Sequence, residues 1–435
     1  MESFLDWSSS TFEGIKSNLP PQDVLSYAFM ICFVFYMMVP HHTIFSRPQV
    51  NLRAIRNSNW KNVEWEKKVS SMKTGKKYAI VGTGFVGKKL IHTLLLRGET
   101  NIKAFDMDPT SCDVFKNDPR VQFVRGNVCD YEQCRAFVEG ADVVYATFAM
   151  IRFMDRFDFQ VPLSFNVNVV GTENVIKACN AGGVKLLIQT STSNVAVAAD
   201  QVSFCMDEKV EYVRRENSPN HYGWTKAIAE QLVLNADRQG GMRTAAVRPC
   251  SAVIGAEDRH MVELMLNLGR AFLPPNGGGS VVDFVSVMNV VWGHLLLEKA
   301  LWERPDDNVA GQAFCVSNNQ PMRLFDLLGL VNMMRPGGVT GIPAPDRLLR
   351  VIAIGIETLA YFGYRVPGQL GSFTKTTCDY LDLSYVFSSR KAFDRLGYEP
   401  IFSVEDALQM AVEEWQMGQM LPALGTEHAS RDTVE

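Results

Sequence analysis

The chain has 435 residues, 47% of them apolar and 21% charged, an ordinary globular composition that excludes a disordered chain and leaves room for two lobes. A formal net charge of −4 gives no general attraction to polyanions, and outside one linker there is no basic patch, so nucleic acid is set aside. Nine scattered cysteines, odd in number and without C-x-x-C pairs or Cys/His ligand spacing, indicate a reducing compartment and no structural metal.

Residues 1–45 surround the uncharged run "VLSYAFMICFVFYMMV", Val24 to Val39, which approaches the roughly 17 to 25 residues that cross a bilayer core. We expect a membrane anchor at 24–40, with a buried core helix as the alternative. Glu2, Asp6, Glu13 and Asp23 precede it, whereas Arg47, Arg53, Arg56, Lys61, Lys67 and Lys68 follow, so the positive-inside bias places the C-terminal side in the cytoplasm. A cleaved signal peptide is disfavoured: the apolar run starts late, no basic segment precedes it and no A-x-A site follows. Residues 46–76 then read as a basic juxtamembrane linker suited to anionic lipid.

From Lys77 short β-rich runs alternate with helical ones: "YAIVGT", "KKLIHTLLLRG", "NIKAFDMD", "VQFVRGNV", "YEQCRAFVEG", "ADVVYATFA" and "KLLIQTSTS". Such alternation predicts an α/β fold, a Rossmann-type doubly wound parallel sheet with helices on both faces. In "YAIVGTGFVGKKLI", Gly82, Gly84 and Gly87 have G-x-G-x-x-G spacing between a strand and a helix that Phe85 and Val86 open. A dinucleotide pyrophosphate needs such a tight turn, close backbone approach and free N–H groups at a helix start. The next strand ends on Asp106, where a carboxylate accepts hydrogen bonds from ribose hydroxyls and repels a 2′-phosphate, favouring NAD over NADP. Asp108 reads as a solvated turn residue. The following strand ends put Asn127 and Val128 beside the adenine and Ala146, Thr147 and Phe148 along the middle of the cofactor.

Further on, "LLIQTSTSN" is an apolar strand ending in four hydroxyl residues, Thr190 to Ser193, and "NHYGWTKAIAEQLV" carries Tyr222 and Lys226 four apart, on one helix face. A phenol near pKa 10 is a poor base at neutrality, and a neighbouring ammonium lowers that value. With a hydroxyl from Ser191, Thr192 or Ser193 beside it, this tyrosine can take the proton of an alcohol while the alcohol carbon gives up a hydride. The alternative is an amphipathic surface pair.

These elements, with "FNVNVVGTENVIKAC", "VRPCSAVIGAED", "VVDFVSVMNVVWGHLLLEKAL", "GQAFCVSNNQPMRLFDLL" and "RKAFDRLGYEPIFSVEDALQMAVEEW", resemble an extended short-chain dehydrogenase/reductase from about Tyr78 to about Trp415. More narrowly, they resemble the 3β-hydroxysteroid dehydrogenase/isomerase family, nearest its sterol-4α-carboxylate 3-dehydrogenase (decarboxylating) members. The resemblance implies that Tyr222 is the general base and Lys226 its pKa-lowering partner and a ribose ligand. It places Thr192 where the family has a serine, with Ser191 and Ser193 as neighbours able to substitute. Val81 stands in place of the family's first glycine, "YATFA" replaces H-L-A-A, and Arg248-Pro249 falls at the strand end beside the nicotinamide, with a surface arginine as the alternative.

The resemblance implies a cytosol-facing enzyme on the endoplasmic reticulum, acting on a sterol, alone, as a homodimer or in a sterol-demethylation complex. Its domains would be an NAD-binding unit at 77–255, a substrate lobe at 256–418 with returning Rossmann elements, and a polar tail at 419–435. "PDRLLRVIAIGIETLAYFGY", residues 345 to 364, is apolar nearly all round except for Arg350 and Glu357; it is expected to lie on the bilayer or line an apolar pocket, or else to be an ordinary buried helix. Competing readings are a steroid dehydrogenase/isomerase, a nucleotide-sugar epimerase or a dihydroflavonol-type reductase, and a non-catalytic dinucleotide-binding scaffold. An epimerase needs polar groups in the second lobe that this helix offers few of, and a scaffold predicts a lost tyrosine or lysine.

Overall fold

A computed structural model describes residues 63–431 except 153–156, 199–202, 256, 259–260, 269, 274–279, 305–307, 339, 344, 363 and 365–373. Strands of near-continuous apolar sequence are the ones buried on both faces: β1 (Tyr78–Val81), β4 (Val143–Ala146) and β5 (Leu186–Thr190). They pair in parallel with β2 (Ile102–Asp106), β3 (Val121–Arg125), β7 (Arg243–Pro249) and β12 (Gln312–Val316) in the order β12-β7-β5-β4-β1-β2-β3. The order in which strands are added reverses between β1 and β4, and ligands bind in the crevice outside the carboxyl ends at such a switch point.

Alternation along the strands divides the core. Tyr78 and Ile80 face α2 (Phe85–Leu96) and α8 (Val287–Glu303), whereas Ala79 and Val81 face α3 (Tyr131–Val138), α5 (Gly171–Gly182) and α6 (His221–Asn235). A short helix α4 (Val161–Phe165) runs through one π turn, Asn166–Val170, into α5.

The first helix, α1 (Val63–Ser70), falls inside the stretch expected to be a linker. It is folded onto the core: Trp65 packs edge-on against Trp292 at 5.7 Å and Phe402 at 5.6 Å, and Val69 is fully buried. Burial of that indole, about 2–3 kcal/mol of transfer free energy, outweighs the polar composition of the segment. The expected anchor at 24–40 lies outside the described residues. Among the described residues no helix is long and apolar enough to cross a membrane.

A second core joins strands β10 (Val281–Val282), β13 (Met322–Arg323), β15 (Tyr385–Phe387) and β6 (Ser203–Met206) in the order β13-β10-β15-β6, with the pairs β11 (Phe284–Ser286) with β8 (Ala252–Ile254) and β14 (Thr340–Pro343) with β9 (Arg270–Leu273). Helices α7 (Val262–Leu268), α9 (Leu324–Met334), α11 (Lys375–Asp382), α12 (Arg390–Leu396) and α13 (Val404–Arg431) complete this half with α10 (Asp346–Tyr361). In α10 the two interrupting charges are turned inward or paired: Glu357 is buried and accepts the Lys375 N–H at 3.0 Å, and Arg350 meets Asp379 at 2.9 Å. The exposed residues of α10 include the apolar Val351, Ile354 and Tyr361, at 56%, 49% and 45%.

One charged cluster is enclosed under the sheet. Glu298 of α8 accepts from Tyr78 at 2.7 Å and Tyr145 at 2.6 Å and pairs with Arg97 at 2.8 Å, whose Nε lies 3.0 Å from Glu99. At the sheet's outer edge, the Cys315 N–H of β12 donates to Glu208 at 2.6 Å, and the Ala313 carbonyl accepts from Lys391 at 2.8 Å.

Candidate active site

The turn after β1 shows what each glycine does. Gly82 has φ +94°, and a Cβ there would lie 2.5 Å from the Phe148 backbone nitrogen. At Gly87 a Cβ would collide with the Gly82 carbonyl oxygen and approach Thr147 Oγ1 at 2.9 Å, so Gly87 lets α2 pack against the strand. Gly84 has open space where a Cβ would be, and it begins α2 with no side chain capping the first turn, which Phe85 and Val86 form. An uncapped helix start beside empty space suits a pyrophosphate.

Beyond the turn, Asp106 ends β2 half-buried, accepting the Thr83 N–H at 2.8 Å and the Asp108 N–H at 3.0 Å. Exposed Asp108 serves Thr110 in its own turn. Thr147 follows β4 and donates to the Gly82 carbonyl, tying the β4 end to the glycine turn; Ala146 is buried beside it. Asn127 and Val128 follow β3: Asn127 Oδ1 caps the Cys129 N–H at 3.0 Å, and the Val128 carbonyl accepts from Asn174 at 3.0 Å. These residues share the carboxyl edge of the sheet with Pro249, the last residue of β7. The donor set and the Gly84 opening fit a dinucleotide.

Asn220 caps α6 by accepting the Gly223 N–H at 3.2 Å, which aims the first turn, with Tyr222, at the end of β5. Both Tyr222 and Lys226 are buried, at 7% and 2% exposure. Burial pushes the Tyr222 phenol up to about 12, opposed by a hydrogen bond with the Thr192 side chain. Burial thus outweighs the lowering expected of the neighbouring Lys226. Lys226 is itself lowered to about 8 by burial, with Glu230 opposing, and its Nζ donates to the Thr190 carbonyl at 2.8 Å. The three neighbouring hydroxyls also separate: Thr192 meets Tyr222, Ser193 Oγ accepts the Ser251 N–H at 2.8 Å, and Ser191 Oγ is buried with no partner among the described residues.

Arg248 is not the surface arginine of the alternative reading. It is 1% exposed and grips Glu230 with Nε at 2.9 Å and Nη2 at 2.6 Å, while Tyr212 donates to the same carboxylate at 2.7 Å. Glu230 lies one turn beyond Lys226, so this pair locks α6 to β7 and holds the lysine in place.

Sequence reasoning passed over Asn168. Buried in the π turn, it accepts the Met150 N–H at 2.7 Å and donates to Thr225 Oγ1 at 3.0 Å, bracing the loop after β4 against α6. An amide amid "FNVNVVG" was the available signal; its partners lie on other elements. Beside α6, Phe157, Phe159 and Tyr361 form a ring cluster with centroids 5.6 to 5.8 Å apart, and Phe159 is 58% exposed. Among the described residues no group of His, Cys, Asp or Glu is placed to hold a metal.

The sequence profile of the 3-beta hydroxysteroid dehydrogenase/isomerase family matches residues 79–340. The chain is 30% identical over 339 residues to the short-chain dehydrogenase/reductase family 42E member 1 of Danio rerio, covering 75% of this chain and 86% of the relative. It is 29% identical over 359 residues to the 3beta-hydroxysteroid-dehydrogenase/decarboxylase isoform 1 of Arabidopsis thaliana, covering 77% and 78%. Among solved structures, a dTDP-glucose 4,6-dehydratase from Streptomyces venezuelae with NAD and TYD bound superposes with a TM-score of 0.60 at 18% identity, covering 79% of this chain and 98% of that one, a likeness of fold.

Proposed function

The chain belongs to the 3-beta hydroxysteroid dehydrogenase/isomerase family, and on that footing we propose that it oxidises the 3β-hydroxyl of a sterol to the 3-ketone with NAD, the sterol carrying a 4α-carboxyl group that leaves as carbon dioxide. The observation that carries this reading is buried Tyr222 in the first turn of α6, one turn before Lys226, whose Nζ donates to the carbonyl that ends β5, on the sheet edge that also holds the Gly84 opening. The carboxyl loss is supported by the relative named a dehydrogenase/decarboxylase.

Gly82, Gly84, Phe85, Val86 and Gly87 would hold the pyrophosphate, Asp106 the adenosine ribose, Asn127 and Val128 the adenine side, and Ala146, Thr147 and Pro249 the remainder. NAD, when bound, supplies the hydride acceptor and a positive charge on its ring. Thr192 donates a hydrogen bond to the substrate oxygen, and Tyr222 Oη takes the hydroxyl proton as the C3 hydride departs. A phenol at about 12 holds its proton at neutrality, so the positive charges of Lys226 and the bound ring must lower it first. Oxidation leaves a β-keto acid: the bond from C4 to the carboxylate breaks, its electrons pass into the new carbonyl, and a proton later restores carbon. That step demands no further side chain.

Residues 24–40 anchor the chain in this reading, with the catalytic part facing the cytosol at the endoplasmic reticulum. The exposed Val351, Ile354 and Tyr361 of α10 rest on lipid near the ring cluster. Residues 77–255 bind NAD, and 256–418 bind mainly the sterol, with β12 returned to the sheet. A homodimer or a sterol-demethylation complex is compatible with this placement.

To test the reading, the full chain in detergent is assayed for NADH formation with 3β-hydroxysterols bearing or lacking a 4α-carboxylate. Turnover of the carboxysterol, reduced about 10²- to 10⁴-fold by Tyr222→Phe, is expected. Equal turnover of both sterols would remove the decarboxylating reading, and no Tyr222-dependent turnover would remove the dehydrogenase.

A further inference from the structure

Lys226 is held by a carbonyl whose own fixation reaches through the sheet. The ladder between β4 and β5 ends at Gln189, whereas that with β7 continues to Thr190. On the β4 side the Thr190 carbonyl is therefore outside the sheet, free to receive Lys226 Nζ and free to tilt. The side chain of the same residue supplies the missing restraint, because Thr190 Oγ1 lies 2.8 Å from His294 Nε2 of α8.

The direction of that bond follows from the other ring nitrogen. His294 Nδ1 lies 2.8 Å from the Val290 carbonyl oxygen, which only accepts, so Nδ1 carries the proton. Burial keeps the ring neutral by lowering its pKa to about 4. Nε2 is then bare, and Thr190 donates to it.

His294 has no room to retreat. It is fully buried, its ring stands 6.0 Å from that of Tyr145, and α8 approaches the sheet so closely at Gly293 that a Cβ would sit 2.9 Å from Val316. One turn later Glu298 fastens the same helix to β1 and β4 through Tyr78 and Tyr145. Helix α8 thus reaches β1, β4 and β5 by two side chains on one face.

We propose that His294 is a positioning residue for Lys226, acting through Thr190: it fixes the hydroxyl, the hydroxyl fixes the last peptide of β5, and that carbonyl accepts a hydrogen bond from one ammonium N–H and directs the other two toward the cleft. The inference rests on the dehydrogenase reading and adds a residue on the far face of the sheet that touches neither substrate nor cofactor. Around Lys226 the charged groups are Glu230 of its own helix and the Arg248 guanidinium of β7 that grips it; His294 is neutral.

The test uses the full chain in detergent. Thr190→Val and His294→Leu are each expected to lower kcat about tenfold, the worth of one hydrogen bond in a transition state, with the sterol KM unchanged and the acid limb of kcat/KM moved to higher pH. The double variant should be no worse than either single one. Thr190→Ser and His294→Gln, whose amide oxygen can accept, should recover most of the rate. Thr190→Val, the smaller change, decides the matter should His294→Leu fail to fold. An unchanged kcat and pH profile in folded Thr190→Val, or additive losses in the double variant, would overturn the proposal. Nitrogen NMR of labelled histidine reads it without turnover: the Nδ1–H form should persist from pH 5 to pH 9, and an Nε2–H form or a titration near 6.5 would refute it. Loss of activity in the unmodified chain would count against the dehydrogenase reading alone.

Discussion

Gly84 and Gly87 share one turn of α2 yet differ in what a methyl group would meet. Gly87→Ala drives Cβ into the Gly82 carbonyl, a backbone atom that cannot swing aside, and should lower both the melting temperature and NAD binding. Gly84→Ala enters open space, so the fold should hold within about 0.5 kcal/mol while a fluorescence titration shows NAD bound at least tenfold more weakly. Unchanged NAD affinity in Gly84→Ala would remove the cradle. Asp283 carries a second expectation at this scale. Fully enclosed, it accepts the Phe387 N–H at 2.6 Å, and burial raises its pKa from 3.8 to about 6. A raised folded-state value means that the stability linked to its proton is fully present below about pH 4 and is lost as pH rises through 6, on the order of 3 kcal/mol. Asp283→Asn keeps the acceptor and abolishes that loss, so its advantage in melting temperature over the unmodified chain should grow between pH 4 and pH 7. A constant difference across that range would refute it. Tyr222 and Lys226 could be singled out from the sequence because their spacing and the hydroxyls before them share a chemical purpose. Which hydroxyl meets the phenol was not legible, since four occur in succession and the groups that withdraw two of them, His294 for Thr190 and the Ser251 backbone for Ser193, lie far along the chain.

Among the elements, α6 is the one on which most site contacts converge, and Glu230 with Arg248 is its tie to β7. Glu230→Ala leaves a buried guanidinium unpaired and should cost about 3–5 kcal/mol of unfolding free energy, whereas Glu230→Leu with Arg248→Met should recover most of it. Denaturant titration of both variants checks this; a double variant as unstable as the single one would show that the pair is not the cause. The parallel sheet was legible because whole strands read as apolar runs between helical ones. Two elements were not. In α1 only Trp65 and Val69 stand out among charges, too few for a periodic pattern, and their partners Trp292 and Phe402 lie far along the chain. In α8, His294 and Glu298 read as polar interruptions of an apolar helix until the sheet residues that they meet are known. Removing residues 1–62 should therefore leave a folded protein, while removal through 76 withdraws the indole between two rings and should cost roughly 3–5 kcal/mol. Equal melting temperatures for the two truncations would contradict the packing of α1.

For the whole molecule, the two cores are joined through α2 as well as through the chain. Lys88 pairs with Glu257 at 2.5 Å and Lys89 with Glu414 of α13 at 2.5 Å, so α2 is bound to the second half at both successive lysines. The full chain should remain in the pellet after alkaline carbonate extraction, and release into the supernatant would refute the anchor at 24–40.

Glu208 and Lys391 have a consequence for self-association. An outermost strand with bare amides and carbonyls invites a second sheet to dock alongside it, but here a carboxylate and an ammonium already occupy those groups on β12. A second copy of the chain therefore meets a blocked border at β12, where the Cys315 amide and the Ala313 carbonyl have no bond left to offer a strand.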